Sequence, residues 1–267
     1  MSDLELATHA ALEAGKLLRK HFGTEAVVDE ACPHDIKLAL DKESQELITS
    51  ILLGACPDDA LYGEEGIAGN QESSRQWIVD PIDGTAGFMR GLPIWGTLIA
   101  LAIDGVPVVG VVSSPALGKR WYAARGHGAF AQMHGEEATA IHVSAVAELP
   151  DASISYNSIQ GWDGAGYLDQ LVQLSRGVWR ARAVGDMWAY MLLAEGSLDL
   201  VAEFDLQPYD MAALIPVIHE AGGRFTSVDG TPGPWSGSAL ATNGLLHDAA
   251  LQVLSPGDVA GDSEASR

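Results

Sequence analysis

Two aspartates in one short run, Asp80-Pro81-Ile82-Asp83-Gly84-Thr85, are the residues of this sequence best placed to do chemistry, and they are entered from Trp77-Ile78-Val79. The three apolar residues read as a short buried strand, and Pro81, which has no N–H for a sheet ladder, reads as its end. Asp80 is thereby delivered to a sheet edge, and Asp83 follows three residues later around a turn set by the proline. Carboxylates so placed can converge on one point, where they repel unless a cation lies between them. Oxygen ligands of this kind suit a hard divalent ion such as Mg²⁺. Gly84 and Thr85 then open a helix or turn whose free N–H groups face the same point and favour an anion. A cation beside an anion site suggests a phosphate. Read singly, each aspartate also fits an Asp-Pro turn or a helix cap.

Further acids punctuate the predicted elements. Leu61 to Gly66 reads as a strand ending in Glu64-Glu65, a weak signal alone because such pairs are commonly solvated. Asp41 precedes a helical pattern of Leu47, Ile48, Ile51 and Leu52 and reads as its N-cap. Asp186 reads the same way for a helix over residues 186–195. Glu203 closes a predicted strand over 198–203. Asp210 falls in the first turn of a helix expected to start near Pro208. That helix presents Leu214, Val217, Ile218 and Ala221 on one face and ends at Gly222-Gly223.

These acids need a scaffold, and 267 residues suffice for one large domain or two intimately packed halves. The net charge of −21 argues against a nucleic-acid partner, which would need a basic face. It also leaves bound cations and helix N-termini to supply the positive field for an anionic substrate. No apolar run reaches the roughly 18 residues of a membrane span, and the acidic N-terminus does not read as a signal peptide. Cys32 and Cys56 lack metal-ligand spacing and read as reduced thiols of a cytoplasmic protein.

Amphipathic spacing predicts a helix over 3–22, and residues 24–30 read as irregular or a short strand. Asp104-Gly105 between apolar runs at 95–103 and 107–114 predicts a hairpin. Residues 121–130 read as strand, glycine-rich turn, strand. Later strands at 151–156, 178–183, 198–203, 224–228 and 239–242 alternate with helices at 165–175, 186–195, 208–220 and 246–254. The first half is therefore α+β and the second α/β. Residues 255–267, polar and small, read as a disordered tail.

The central run resembles the signature of the inositol monophosphatase family, Asp-Pro-Ile-Asp-Gly-Thr after a hydrophobic strand. Downstream, Tyr209-Asp210, Ala212-Ala213 and Glu220-Ala221-Gly222-Gly223 are similar to that family's second signature, with Tyr209 in place of a Trp. The resemblance implies a Mg²⁺-dependent phosphomonoesterase built as a layered αβαβα sandwich. It implies a single domain over 1–254, with an α+β half to about 145, an α/β half from about 146 and the site between them, and a homodimer. It further implies that Glu64, Asp80, the Ile82 carbonyl, Asp83 and Asp210 hold two or three Mg²⁺. Asp41 and Thr85, with Glu64, would activate the attacking water. Gly84 and Thr85 would bind phosphate oxygens, and Glu203 a substrate hydroxyl or amine near Asp210. Lys37, Leu38 and Gly87 depart from the family pattern; Lys37 is read as solvent-exposed or as facing the site, and Gly87 removes a side-chain amide.

Phrases such as Arg75-Gln76-Trp77, Asp104-Gly105-Val106-Pro107 and Ala241-Thr242-Asn243-Gly244 resemble the histidinol-phosphate phosphatase group of the actinobacterial type. That implies L-histidinol phosphate as the ester, with Asp186 and Glu203 toward a cationic amine or imidazole. The alternatives are an inositol-1-phosphate or broad sugar-phosphate phosphatase, and a non-catalytic relative that binds metal or phosphate.

Overall fold

The computed structural model describes residues 1–23, 28–32 and 35–255, with side-chain surroundings described outside residues 28–38. The expectations for residues 24–27, for the surroundings of Cys32 and Lys37 and for the tail beyond 255 lie outside the described residues. Helices α1 (Asp3–Arg19) and α2 (Ala39–Ala55) flank a hairpin of β1 (Val28–Cys32) and β2 (Asp35–Leu38). There follow β3 (Ala60–Gly63), β4 (Gly66–Gly69), β5 (Arg75–Asp83), α3 (Thr85–Met89), β6 (Gly96–Ile103), β7 (Val106–Ser114), β8 (Lys119–Ala124), β9 (Ala129–Met133) and β10 (Thr139–Ala140). The second half runs β11 (Ser153–Tyr156), α4 (Ile159–Gly164), α5 (Leu168–Gly177), β12 (Arg180–Arg182), α6 (Asp186–Ala194), β13 (Leu200–Phe204), α7 (Pro208–Met211), α8 (Leu214–Glu220), β14 (Arg224–Thr226), β15 (Ser238–Thr242) and α9 (His247–Leu254).

Strands β3 to β10 form one sheet in the order β10-β9-β8-β7-β6-β5-β3-β4, and β11 to β15 a second in the order β12-β11-β13-β15-β14. Alternation along the strands explains the stacking. Trp77 and Val79 of β5 and Ile99 and Leu101 of β6 pack toward α1 and α2, whereas Ile78, Leu98 and Ala100 point to the opposite face. There α6 and α8 lie between the two sheets, and α4, α5 and α9 cover the outer face of the second. The result is the expected αβαβα layering. Burying side chains as large as Trp77 or Ile78 stabilises the fold by roughly 2–3 kcal/mol each. Among the described residues no helix is long and apolar enough to cross a membrane.

Several local expectations change in the folded chain. Strand β5 does not stop before Pro81 but continues to Asp83, with a register slip against β6 between Asp80 and Asp83. The proline sits in that bulge, where the ladder does not require its missing N–H. The helix expected over 208–220 is two helices separated at Ala212-Ala213. Pro216 has no N–H to bond the Ala212 carbonyl and its ring would clash with it, so α8 restarts with the proline in its first turn. Asp41 is not an N-cap, because α2 already begins at Ala39. Asp186 is not the N-cap either: Gly185 takes that position, and Asp186 is the first helical residue with φ 49°. The Asp104-Gly105 hairpin forms as expected, with φ 51° and 77° at its two turn residues.

Candidate active site

The bulge of β5 aims Asp80 and Asp83 into a cleft of about 310 Å³. Asp210 reaches it from the first turn of α7, and one oxygen from each of the three carboxylates lies within 4.8 Å of the others. Two corners of this triangle are braced by backbone N–H groups. Asp83 Oδ2 accepts the Met187 N–H at 2.7 Å, from the first turn of α6. Asp210 Oδ2 accepts the Gln207 N–H at 2.7 Å, which also caps α7. Glu64 borders the cleft from the turn after β3, its N–H donated to the Val79 carbonyl at 3.2 Å. Gln45 of α2 clamps that turn: its Oε1 accepts from the Glu65 N–H at 2.9 Å, and its Nε2 donates to the Gly66 carbonyl at 3.1 Å.

Gly84 then turns the chain into α3 with φ 81°. A Cβ there would lie 2.9 Å from the Ile94 carbonyl oxygen and 3.3 Å from Asp186 Oδ2, so only glycine fits the turn, and Asp186 stands beside it. Thr85 Oγ1 donates to the Ile82 carbonyl at 2.7 Å, a bond that sequence reading did not foresee. Asp41 is buried in the first turn of α2, and Asp80 feels its charge. Asp186 and Glu203 line the same cleft as the triangle.

The concentration of buried acid sets the electrostatics. Burial, then Asp83, Glu64, Asp210 and Asp41, push the Asp80 carboxyl well above its usual range. Burial and Asp186 do the same to Asp83, against the opposing Met187 N–H. Burial raises Asp210 to about 6, opposed by the Gln207 N–H and helped by Asp186 and Asp205. Burial lifts Glu203 to about 8, opposed by the Tyr190 hydroxyl and helped by Asp186 and Asp210. Asp80 Oδ1 is moreover buried without a hydrogen-bond partner. Buried carboxylates in this state are costly unless a cation or proton joins them. The all-oxygen donor set, its close convergence and the unsatisfied Asp80 oxygen fit a hard divalent cation.

Two polar side chains of the cleft escaped sequence reading. Asn157 donates from Nδ2 to the Phe204 carbonyl at 2.7 Å, while its Oδ1 is buried without a partner at the cleft. It stands directly after β11, which pairs in parallel with its neighbours, and ligands bind beyond the carboxyl ends of parallel strands; that pairing emerges only in the fold. Tyr190 donates its hydroxyl to Glu203 Oε2 at 2.9 Å. It lies four residues after Asp186, hence on the same helix face.

A model of the inositol monophosphatase family matches residues 2–256. A histidinol-phosphatase of Streptomyces coelicolor is 52% identical over 219 residues, spanning 80% of this chain and 82% of that one. A histidinol-phosphatase of Mycobacterium tuberculosis is 47% identical over 256 residues, spanning 96% of this chain and 98% of that one. Among solved structures, the Thermotoga maritima IMPase superposes with a TM-score of 0.83 at 31% identity, covering 95% of this chain and 97% of that one. Both signature aspartate runs meet in one cleft of this same architecture, and the chain belongs to the inositol monophosphatase family.

Proposed function

We propose that this protein is a Mg²⁺-dependent phosphoric monoester hydrolase that converts L-histidinol phosphate and water to L-histidinol and phosphate. Relatives at 47% and 52% identity carry the name histidinol-phosphatase, which supports this substrate. The observation that carries it is the position of Asp186. Its carboxylate stands beside Gly84, where the phosphate would dock, and Glu203 lines the same cleft. An ester that brings its own positive charge, as an ammonium or imidazolium does, favours the ionised form of these acids and gains most beside them. A neutral polyol brings none.

Asp80, Asp83, Asp210, Glu64 and the Ile82 carbonyl would hold two or three ions. Mg²⁺ bound there supplies positive charge to the phosphate and to the leaving oxygen. The N–H groups of Gly84 and Thr85 would hold phosphate oxygens at the start of α3. Thr85 gives its one O–H to Ile82, so its oxygen lone pairs are left to accept from the attacking water. Asp41 would help to orient that water, and Glu64 would draw its proton. No covalent enzyme intermediate is needed. The family resemblance supports a homodimer, which sedimentation of the purified protein checks, and the reading of Cys32 and Cys56 as reduced thiols supports a cytoplasmic location. Replacing Asp186 (Asp186→Ala) tests the substrate assignment. It should lower kcat/KM for L-histidinol phosphate about tenfold or more relative to inositol-1-phosphate, as loss of one charge pairing does. An unchanged ratio would contradict the role given to Asp186.

A further inference from the structure

A second cavity, of about 230 Å³, lies on the α1 side of the large sheet and shares no lining residue with the carboxylate cleft. Its charge is opposite to that of the molecule. The chain carries 15 Lys and Arg against 36 Asp and Glu, yet Lys16, Arg19, Lys119 and Arg120 all line this one cavity and no carboxylate does. Bringing four cations together costs repulsion, and in so acidic a protein nearby carboxylates would relieve it most simply.

Only part of that relief is present. Lys16 pairs with Glu13 at 2.6 Å, and Lys119 pairs with Glu195, both of these acids lying off the cavity wall. Among the described residues neither Arg19 nor Arg120 has an ion-pair partner. The α1 C-terminal dipole accounts for Lys16 and Arg19, but it does not account for Arg120, which comes from β8. Arg120 is oriented by a neutral acceptor: Gln132, opposite it on β9, receives its Nε–H at 3.1 Å and an Nη2–H. Two of five guanidinium donors are thus used to fix the group, and three are left for a ligand. Gly15 of α1 lets Pro115 approach closely, since a Cβ at Gly15 would lie 2.9 Å from Pro115 Cγ. With Leu12 and Met133, Pro115 gives the cavity an apolar wall.

We propose that this cavity is a second, non-catalytic site for a small organic dianion, a phosphate or phosphonate on an apolar body. Arginine forks match the geometry of such oxyanions, and the apolar wall takes the body. The volume, below the roughly 300–1,000 Å³ of drug-sized ligand clefts, restricts the occupant to a small molecule. The inference stands apart from the catalytic reading, since it uses none of the same residues.

The test is calorimetric titration of the Mg²⁺-loaded full chain with phenylphosphonate, which has no hydrolysable ester, and with benzoate as a monoanionic control. The expected result is a phenylphosphonate equivalent that persists in Asp83→Asn, weakens about tenfold or more in the Arg19→Gln/Arg120→Gln double variant, and exceeds benzoate in affinity. The double variant should keep wild-type turnover. Arg19→Gln alone, at the exposed end of α1, should weaken the same equivalent and supplies the answer if the double variant does not fold. The proposal is overturned if Asp83→Asn abolishes all phenylphosphonate binding, or if the arginine variants titrate like the wild type.

Discussion

At the scale of single residues, the site is an arrangement of buried acids that a cation or a proton must reconcile. Asp80 is the clearest case, since it is 2% exposed and one of its oxygens has no hydrogen-bond partner. Gly84 is its geometric counterpart. Replacing Gly84 with Ala would place a Cβ against the Ile94 carbonyl in a left-handed conformation, a strain of about 1–2 kcal/mol. The expected outcome is a lower melting temperature and a larger loss of turnover, because the same Cβ also displaces Asp186. Phosphate release and thermal melting read the two effects separately, and wild-type turnover would contradict the role given to this turn. Asp80 and Asp83 were legible in the sequence because type and spacing together are informative. Asn157 was not, because one asparagine after a strand carries no spacing, and only the fold brings it to the cleft.

At the scale of elements, the site depends on how neighbouring pieces fix short turns. Gln45 shows this best: one side chain of α2 holds the Glu64-Glu65 turn through two hydrogen bonds, and the absent side chain of Gly63 makes room for it. Gln45→Leu should cost about 1–3 kcal/mol, because the Glu65 N–H and Gly66 carbonyl lose their partner. It should also weaken Mg²⁺ binding about tenfold, the usual scale when a support of a ligand is removed. Chemical denaturation and Mg²⁺ titration check both, and unchanged Mg²⁺ affinity would contradict the clamp. Elements defined by local chemistry were readable, such as the Asp104-Gly105 hairpin. The continuation of β5 past Pro81 was not, because a bulge is defined by the partner strand. The break at Ala212-Ala213 had a local cause in Pro216, but the helical periodicity of Leu214, Val217 and Ile218 runs on across it and concealed the interruption.

At the scale of the whole molecule, the αβαβα stack exists to bring the end of β5, from one sheet, against α6 and α7, beside the other. The cost of gathering these acids predicts a pH dependence. Asp210 and Glu203 have folded values of about 6 and about 8, above their ordinary 3.8 and 4.5. Groups raised in this way favour folding fully below their ordinary values, and that contribution is lost as pH climbs through the folded values. The metal-free protein should therefore lose thermal stability between about pH 4 and 8. On the proposed function Mg²⁺ binds the ionised carboxylates, so it should restore more of it at about pH 8 than at about pH 5. Calorimetric melting at those two values decides the matter, and an equal Mg²⁺ effect at both would contradict it. The central claim is chemical, and phosphate release from L-histidinol phosphate, inositol-1-phosphate and fructose-1,6-bisphosphate, each with Mg²⁺ and with chelator, tests it most directly. The account predicts release that requires Mg²⁺ and strongly prefers L-histidinol phosphate. Preference for inositol-1-phosphate would contradict the part given to Asp186 and Glu203, and release that survives the chelator would contradict the metal site itself.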